Sequence, residues 1–387
     1  MLKCASVYTF EIDDPEIAIE EIRAQLNKKI TFLEHTVGIV MCHPEFIASG
    51  VLKHVCENLP FNLAGTTTSS QAIDGEIGEL ILTIFVMTSD DVWFKTGVTE
   101  SLGENIDAQI KAAFDKSVLG VSESPKLALT FPPQSLRAGD AYVNAWQEII
   151  PNVPVFGPVA VDDTLTFEES ETIHNGESYK AAMPFVLCYG NITPRFIVGT
   201  LPQDKAMPYK GEITKSNEAF VYEVNNMNAR QYFESIGFVN SYENYIFAPL
   251  VIDQKKRTDY DGIPVLRILA SFTADGAAIF RGYVDEGSIF TILTCETEDM
   301  LSATRQTIEQ LNDLPDVNGV LLFPCIVRRM MTMRENPMME LETVRDTINP
   351  DIPFMIGYAG GEISPTLIKN DIPTNRFHNY SLVILVV

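Results

Sequence analysis

The chain has 387 residues, 46% hydrophobic and 21% charged, ordinary proportions for a soluble globular protein with room for a large core. Its 52 acidic and 28 basic residues leave a formal net charge of -24. That charge repels nucleic-acid phosphates and anionic membrane surfaces, and no apolar run approaches a membrane span, so neither nucleic acid nor membrane is an expected partner.

The N-terminal stretch MLKCASVYTFEIDD turns acidic before a signal-peptide core can develop, which points to the cytoplasm. Ala5 to Phe10 reads as a strand, and Asp14 followed by Pro15 opens a helix with Ile19, Ile22 and Leu26 on one face. Val37 to Cys42 is a second strand ending at Pro44, and Ile47, Val51 and Val55 then mark one helix closed by Pro60. Leu80 to Met87 is a further strand. The order restarts at Val92 with a strand, a Ser101/Glu104 capping box and a helix buried through Ile106, Ile110 and Phe114. Leu127 to Phe131, a helix carrying Tyr142, Trp146 and Ile150, and strands around Phe185 to Tyr189 and Phe196 to Val198 complete this second unit.

A third unit is expected from Ile289: a strand to Cys295, an acidic helix through Leu301, Ile308 and Leu311, the strand Val320 to Phe323, a helix with Leu341, Val344 and Ile348, and a final strand Leu382 to Val387. Between the second and third units, about Gly199 to Gly287 reads as a mostly β insertion. It holds Ala219 to Val224, a turn at Asn225 and Asn226, a short helix ending at Gly237, and a hairpin across Asp275 and Gly276. QKKRTDYDG within it is the best linker candidate. The fold class is therefore α/β, with internally repeated strand-helix units in mixed parallel and antiparallel sheets.

Three stretches share one design of proline, apolar residues, glycine and then a small or polar loop: PFNLAGTTTSS, PVFGPVAVDD and PFMIGYAGGEISP. These strings, with GEITKSNEAFVYEVNNMNARQYFESIG, RILASFTADGAAIFRGYVDEG and LLFPCIVRR, make the chain resemble the FIST family of sensory domains. The resemblance covers most of the sequence and divides it into an N-terminal region, 1–218, and a C-terminal region, 219–387. It implies an intracellular sensor of small molecules, amino acids or related metabolites, with no established catalytic reaction. In CIVR, Val327 stands where the family pattern has a glycine. Many family members carry an output domain on the same chain; none is read in this sequence, so the output is expected to pass through a separate signalling partner or a change in assembly.

Candidate ligand residues gather at the glycine loops. Gly65, Thr66, Thr67 and Thr68 combine a pliable backbone with hydroxyls beyond a strand end, where open α/β sheets place ligands. Gly157 and Asp162 belong to the second loop, and Tyr358, Gly360, Gly361 and Glu362 to the third. Arg328 offers a two-pronged grip on a carboxylate and Glu362 a seat for an ammonium, so the two are expected in one polar site. Arg267 and Arg281 lie in strand-like runs, each either gripping a ligand carboxylate or pointing outward. Cys325 is the one candidate nucleophile, which keeps open a hydrolase or transferase, and a scaffold without a ligand site is the other alternative. Neither phosphate-loop nor dinucleotide glycine patterns occur, the Cys42/His43 and His54/Cys56 spacing fits no familiar zinc site, and six cysteines without a CxxC pair suit free thiols. No cofactor or metal is expected.

Overall fold

Apolar strands alternating with one-sided helices fold into a single supersecondary unit that the chain uses three times. The computed structural model describes residues 1–134, 139–164, 166–237, 250–253, 265–369 and 372–387. The first unit runs β1 (Lys3–Thr9), α1 (Pro15–Lys29), β2 (His35–Cys42), α2 (Glu45–Ala48), α3 (Val51–Glu57), β3 (Asn62–Thr67), β4 (Gln71–Ile73), β5 (Glu76–Gly78) and β6 (Leu82–Ser89). The second repeats it as β7 (Val92–Val98), α4 (Ile106–Ser117), β8 (Leu127–Thr130), α5 (Asp140–Ile149), β9 (Val155–Pro158), β10 (Thr172–His174), β11 (Glu177–Tyr179) and β12 (Pro184–Gly190).

The third unit opens with β13 (Arg195–Gly199) and is interrupted at once by the insertion. The insertion contains β14 (Ala206–Asn217), β15 (Phe220–Val224), β16 (Met227–Asn228), α6 (Ala229–Ser235), β17 (Leu250–Asp253), β18 (Val265–Arg267), β19 (Leu269–Phe272), β20 (Ala278–Phe280) and β21 (Ile289–Leu293). The unit then resumes with α7 (Thr297–Asn312), β22 (Val320–Pro324), α8 (Ile326–Thr332), α9 (Met339–Thr347), β23 (Phe354–Gly357), β24 (Glu362–Lys369), β25 (Ile372–His378) and β26 (Leu382–Val386).

Each unit builds a six-stranded sheet in the same order: β1-β6-β2-β3-β10-β11, then β7-β12-β8-β9-β24-β25, then β13-β26-β22-β23-β4-β5. At the centre of each lies one parallel pair, β2 with β3, β8 with β9, and β22 with β23. The outer hairpin of every sheet is lent by another unit, second to first, third to second and first to third. The three sheets are thereby interlocked in a closed ring.

Burial follows from this plan, because strands covered on both faces must be apolar throughout. Met41, Phe131, Phe156, Phe323, Met355 and Leu385 meet in one core shared by all three sheets. Helices cover the outer faces, α1 burying Ala18, Ile19, Ile22 and Leu26, α5 burying Trp146, and α7 burying Leu301, Ile308 and Leu311. Asp14 starts α1 as read from the sequence, accepting bonds from the Glu16 and Ile17 amides.

Several expectations change. The third unit begins at β13, not at Ile289, and β21 belongs to the antiparallel sheet of the insertion. A short apolar run such as Phe196 to Val198 does not reveal its partner, and here it pairs with β26 at the other end of the chain, Arg195 opposite Val386. The helix expected through Ile47 and Val55 is two helices, divided at Gly50, whose φ of +83° is left-handed. Asn105 caps α4 by accepting from the Ala108 amide, in place of Ser101. The insertion turns as expected, with Asn225 and Asn226 at φ +51° and +61° and Gly276 at +87°. QKKRTDYDG lies outside the described residues.

Arg267 ties the insertion to the body. It is buried, donating to the Phe377 carbonyl at 3.1 Å and to the Asp140 carboxylate at 3.2 Å, so it points inward rather than to solvent. The 218/219 division falls in the turn from β14 to β15, and every one of the interlocked sheets except the first draws strands from both sides of it. No helix among the described residues is long and apolar enough to cross a membrane.

Candidate functional site

The three glycine loops leave the ends of equivalent parallel strands, so the closed ring of sheets brings them together. Gly65 and Gly157 make this geometry possible: a Cβ on Gly65 would stand 1.7 Å from the Val40 carbonyl oxygen, and one on Gly157 would stand 1.8 Å from that of Thr130. From there the loops bond in a circle. The Val161 amide donates to the Thr67 carbonyl at 3.4 Å, the Gly360 amide to that of Val159 at 2.9 Å, and the Thr68 hydroxyl to that of Tyr358 at 2.9 Å. Gly360 and Gly361 leave no space for side chains, since a Cβ on the first would crowd Val161 and Gln134 and one on the second would strike the Phe377 ring.

Within this circle the sequence candidates divide. The Thr66 and Thr67 hydroxyls each donate to the Glu171 carbonyl at 3.1 Å, so with Thr68 they stitch backbone to backbone. Asp162 accepts from the Thr164 amide and hydroxyl, both at 2.6 Å, and from the Glu169 amide at 2.7 Å, closing its own loop. Arg281 stays on the insertion, its amide bonded to the Ile268 carbonyl, and no described hydrogen bond joins it to the glycine loops.

Arg328 and Glu362 do not pair with each other. The Arg328 guanidinium, fully buried, is taken up by the Glu340 carboxylate at 2.7 Å, the Tyr380 carbonyl at 2.9 Å and the Thr304 hydroxyl at 2.8 Å. Burial alone would weaken its charge, and Glu340 more than restores it. Tyr358 joins the same network through its hydroxyl, 3.4 Å from Glu340, and burial lifts that hydroxyl well above the usual tyrosine range.

Glu362 is different. It is wholly buried at the start of β24, and neither carboxyl oxygen has a partner at hydrogen-bond geometry. Burial raises its pKa well above the ordinary carboxylate range, opposed by the nearby Cys325 thiol, by the Arg328 charge and by the Ser381 amide. The thiol and the amide approach closely enough to ease a negative charge without meeting the geometry of a bond. Cys325 in turn is held protonated, its pKa raised well up by burial and then by Glu362. A thiol in that state is a poor nucleophile.

Other buried polar atoms without partners include the Ser69 and Ser70 hydroxyls, on the first glycine loop, and the Asn379 side-chain carbonyl, in the turn between β25 and β26. Ser70 accepts the Tyr358 amide through its backbone at 3.5 Å, and a Cβ on Gly361 would stand 3.3 Å from the Asn379 side-chain nitrogen, which places both beside the Glu362 loop. The sequence carries a signal for the serines, which complete the GTTTSS string, but the threonines draw the eye first. Glu340 and Asn379 carry none, since only the tertiary fold brings α9 and the β25–β26 turn to this place. Among the described residues, no group of His, Cys, Asp and Glu could hold a metal ion.

The family model of the FIST N domain matches residues 36–227, and that of the FIST C domain matches residues 229–365. No curated protein matches the chain. Among solved structures, cyanuric acid hydrolase from A. caulinodans aligns over 100% of this chain and 98% of its own, at 8% identity and a TM-score of 0.36. So distant a likeness carries no argument about activity. With family models spanning both halves, the chain belongs to the FIST family, whose domains are sensory domains that bind small ligands in signal transduction.

Proposed function

We propose that the circle of glycine loops is the ligand site of a cytoplasmic sensor, that the ligand is an amino acid or related small metabolite, and that a separate partner protein carries the signal onward. The observation that carries this reading is the set of buried polar atoms without partners at one convergence of loops: Glu362, Ser69, Ser70 and Asn379. An unpaired buried polar group costs roughly 1–3 kcal/mol, and more when charged. A fold that concentrates several of them on rigid loops is well matched to a ligand that satisfies them.

In this reading Cys325 and Tyr358 line the site, while Thr66, Thr67, Thr68, Asp162 and the four loop glycines hold its shape. Arg328 braces the wall through Glu340. Regions 1–218 and 219–387 act as one body, since the interlocked sheets cross that boundary. Binding is favoured over catalysis by the protonated state of the Cys325 thiol.

A thermal-shift screen of amino acids and small metabolites tests the proposal. A ligand at a hundredfold excess over its Kd adds about 2.7 kcal/mol to stability, which is a shift of a few degrees for a chain of this size. Such a shift is expected from some member of the screen. None at millimolar concentrations, across all of them, would leave the scaffold as the better reading.

A further inference from the structure

The unpaired atoms at the loop convergence are unequal in kind, and the imbalance says which part of a ligand they suit. Both Glu362 oxygens and the Asn379 side-chain oxygen are acceptors, and the Ser69 and Ser70 hydroxyls accept as readily as they donate. The nearby guanidinium groups are already engaged, Arg328 with Glu340, Thr304 and the Tyr380 carbonyl and Arg329 with Glu79, which leaves Arg329 Nε as the one buried side-chain nitrogen donor without a partner among the described residues. A carboxylate entering the site would find little to grip it. A group bearing several N–H bonds would find acceptors around it.

Resting on the ligand-site reading above, we infer that the site takes the protonated amine of its ligand against Glu362, and that Glu362 releases its own proton to solvent as the amine seats. The balance is simple: a neutral carboxyl and an ammonium become a carboxylate-ammonium pair and one free proton. No other bond forms or breaks. Ser69, Ser70 and Asn379 take the remaining N–H bonds.

The surroundings make the exchange physical. With the Cys325 thiol and the Ser381 amide short of bonding geometry and the Arg328 charge turned to Glu340, burial outweighs what they offer and the empty carboxyl keeps its proton. The ionisable groups around it are Cys325 at the N-cap of α8, Arg328 within α8, Glu340 from α9, Tyr358 in its own loop with the Arg329 charge acting on it, Asp162 on the neighbouring loop and His378 opposite it across β24 and β25. Arg328 is neutralised by Glu340, Asp162 is saturated by Thr164 and Glu169, and the Cys325 and Tyr358 protons are held tightly. A ligand ammonium is then the charge that Glu362 lacks.

The test uses the whole chain and three matched probes: valine, its amine analogue isobutylamine, and its deaminated analogue isovalerate, followed by other amino acids of the screen with their own analogues. Amine-bearing probes are expected to bind and the deaminated ones to fail. Titration calorimetry in two buffers of different ionisation enthalpy is expected to show close to one proton released per ligand, and affinity is expected to rise about tenfold per pH unit below the pKa of the empty site. In Glu362→Gln, checked for folding by circular dichroism, both the release and the pH slope should vanish. Binding by isovalerate as tight as by valine, binding without proton release, or an unchanged slope in the variant overturns the inference while leaving a ligand site in place. Absence of binding by every probe overturns both.

Discussion

At the scale of single residues, Glu362 and Arg328 show how burial assigns different work to two charged side chains that the sequence presents as a pair. Arg328 is matched and Glu362 is not, and each predicts a different response. A carboxyl that keeps its proton in the folded chain, while the unfolded chain releases it near pH 4.3, favours the folded state most at low pH. That advantage is lost as pH rises from about 4.3 toward the raised folded value, at about 1.4 kcal/mol per pH unit. Glu362→Gln has no such slope, so urea denaturation at stepped pH from about 4.3 upward should show the wild type falling relative to the variant until the raised folded value is passed. Parallel trends would refute the unpaired state of Glu362. For Arg328 the expectation is a large loss of stability: Arg328→Met leaves the Glu340 charge buried alone, a cost of about 3–5 kcal/mol, and the double variant with Glu340→Gln should recover part of it. Equal stabilities for single and double variants, measured by the same denaturation, would mean that the pair is not coupled.

At the scale of elements, periodicity and punctuation make the local units legible, while partners at long range are not written in any window of sequence. Asp14 and Pro15 announce α1, the glycine-centred strings announce the ends of β3, β9 and β23, and Asn225 and Asn226 announce their turn. Nothing local says that β13 pairs with β26, or that the β4–β5 hairpin completes the third sheet. For the same reason the site was half legible. The loops could be read from proline, glycine and hydroxyl patterns, but the Glu340 partner of Arg328 and the unpaired Asn379 come from elements joined only by the fold. The close approach at the loop roots gives a sharp test. Gly65→Ala and Gly157→Ala force a methyl into a backbone carbonyl and should lower melting temperature strongly, whereas Gly103→Ala, with only the end of Gln109 at 4.0 Å, should leave it near wild type. Similar melting for all three variants would contradict the crowding.

At the scale of the whole molecule, the exchange of hairpins makes the three sheets mutually dependent. The first unit completes the third sheet, and the third completes the second. Neither 1–218 nor 219–387 is therefore expected to fold by itself, and each expressed alone should lack a cooperative thermal transition that the full chain shows. A cooperative transition in either fragment would show that the interlock is dispensable. Under the proposed reading the ligand would sit at the meeting of all three units, where its occupancy would tighten the entire ring. A crystal structure of the chain with the tightest binder of the metabolite screen tests this most directly. The account predicts ligand density between the glycine loops, within hydrogen-bond distance of Glu362 and of Ser69, Ser70 or Asn379. Density confined instead to the cleft of about 260 Å³ lined by Asp140, Arg267 and Arg376, with the loops empty, would contradict it.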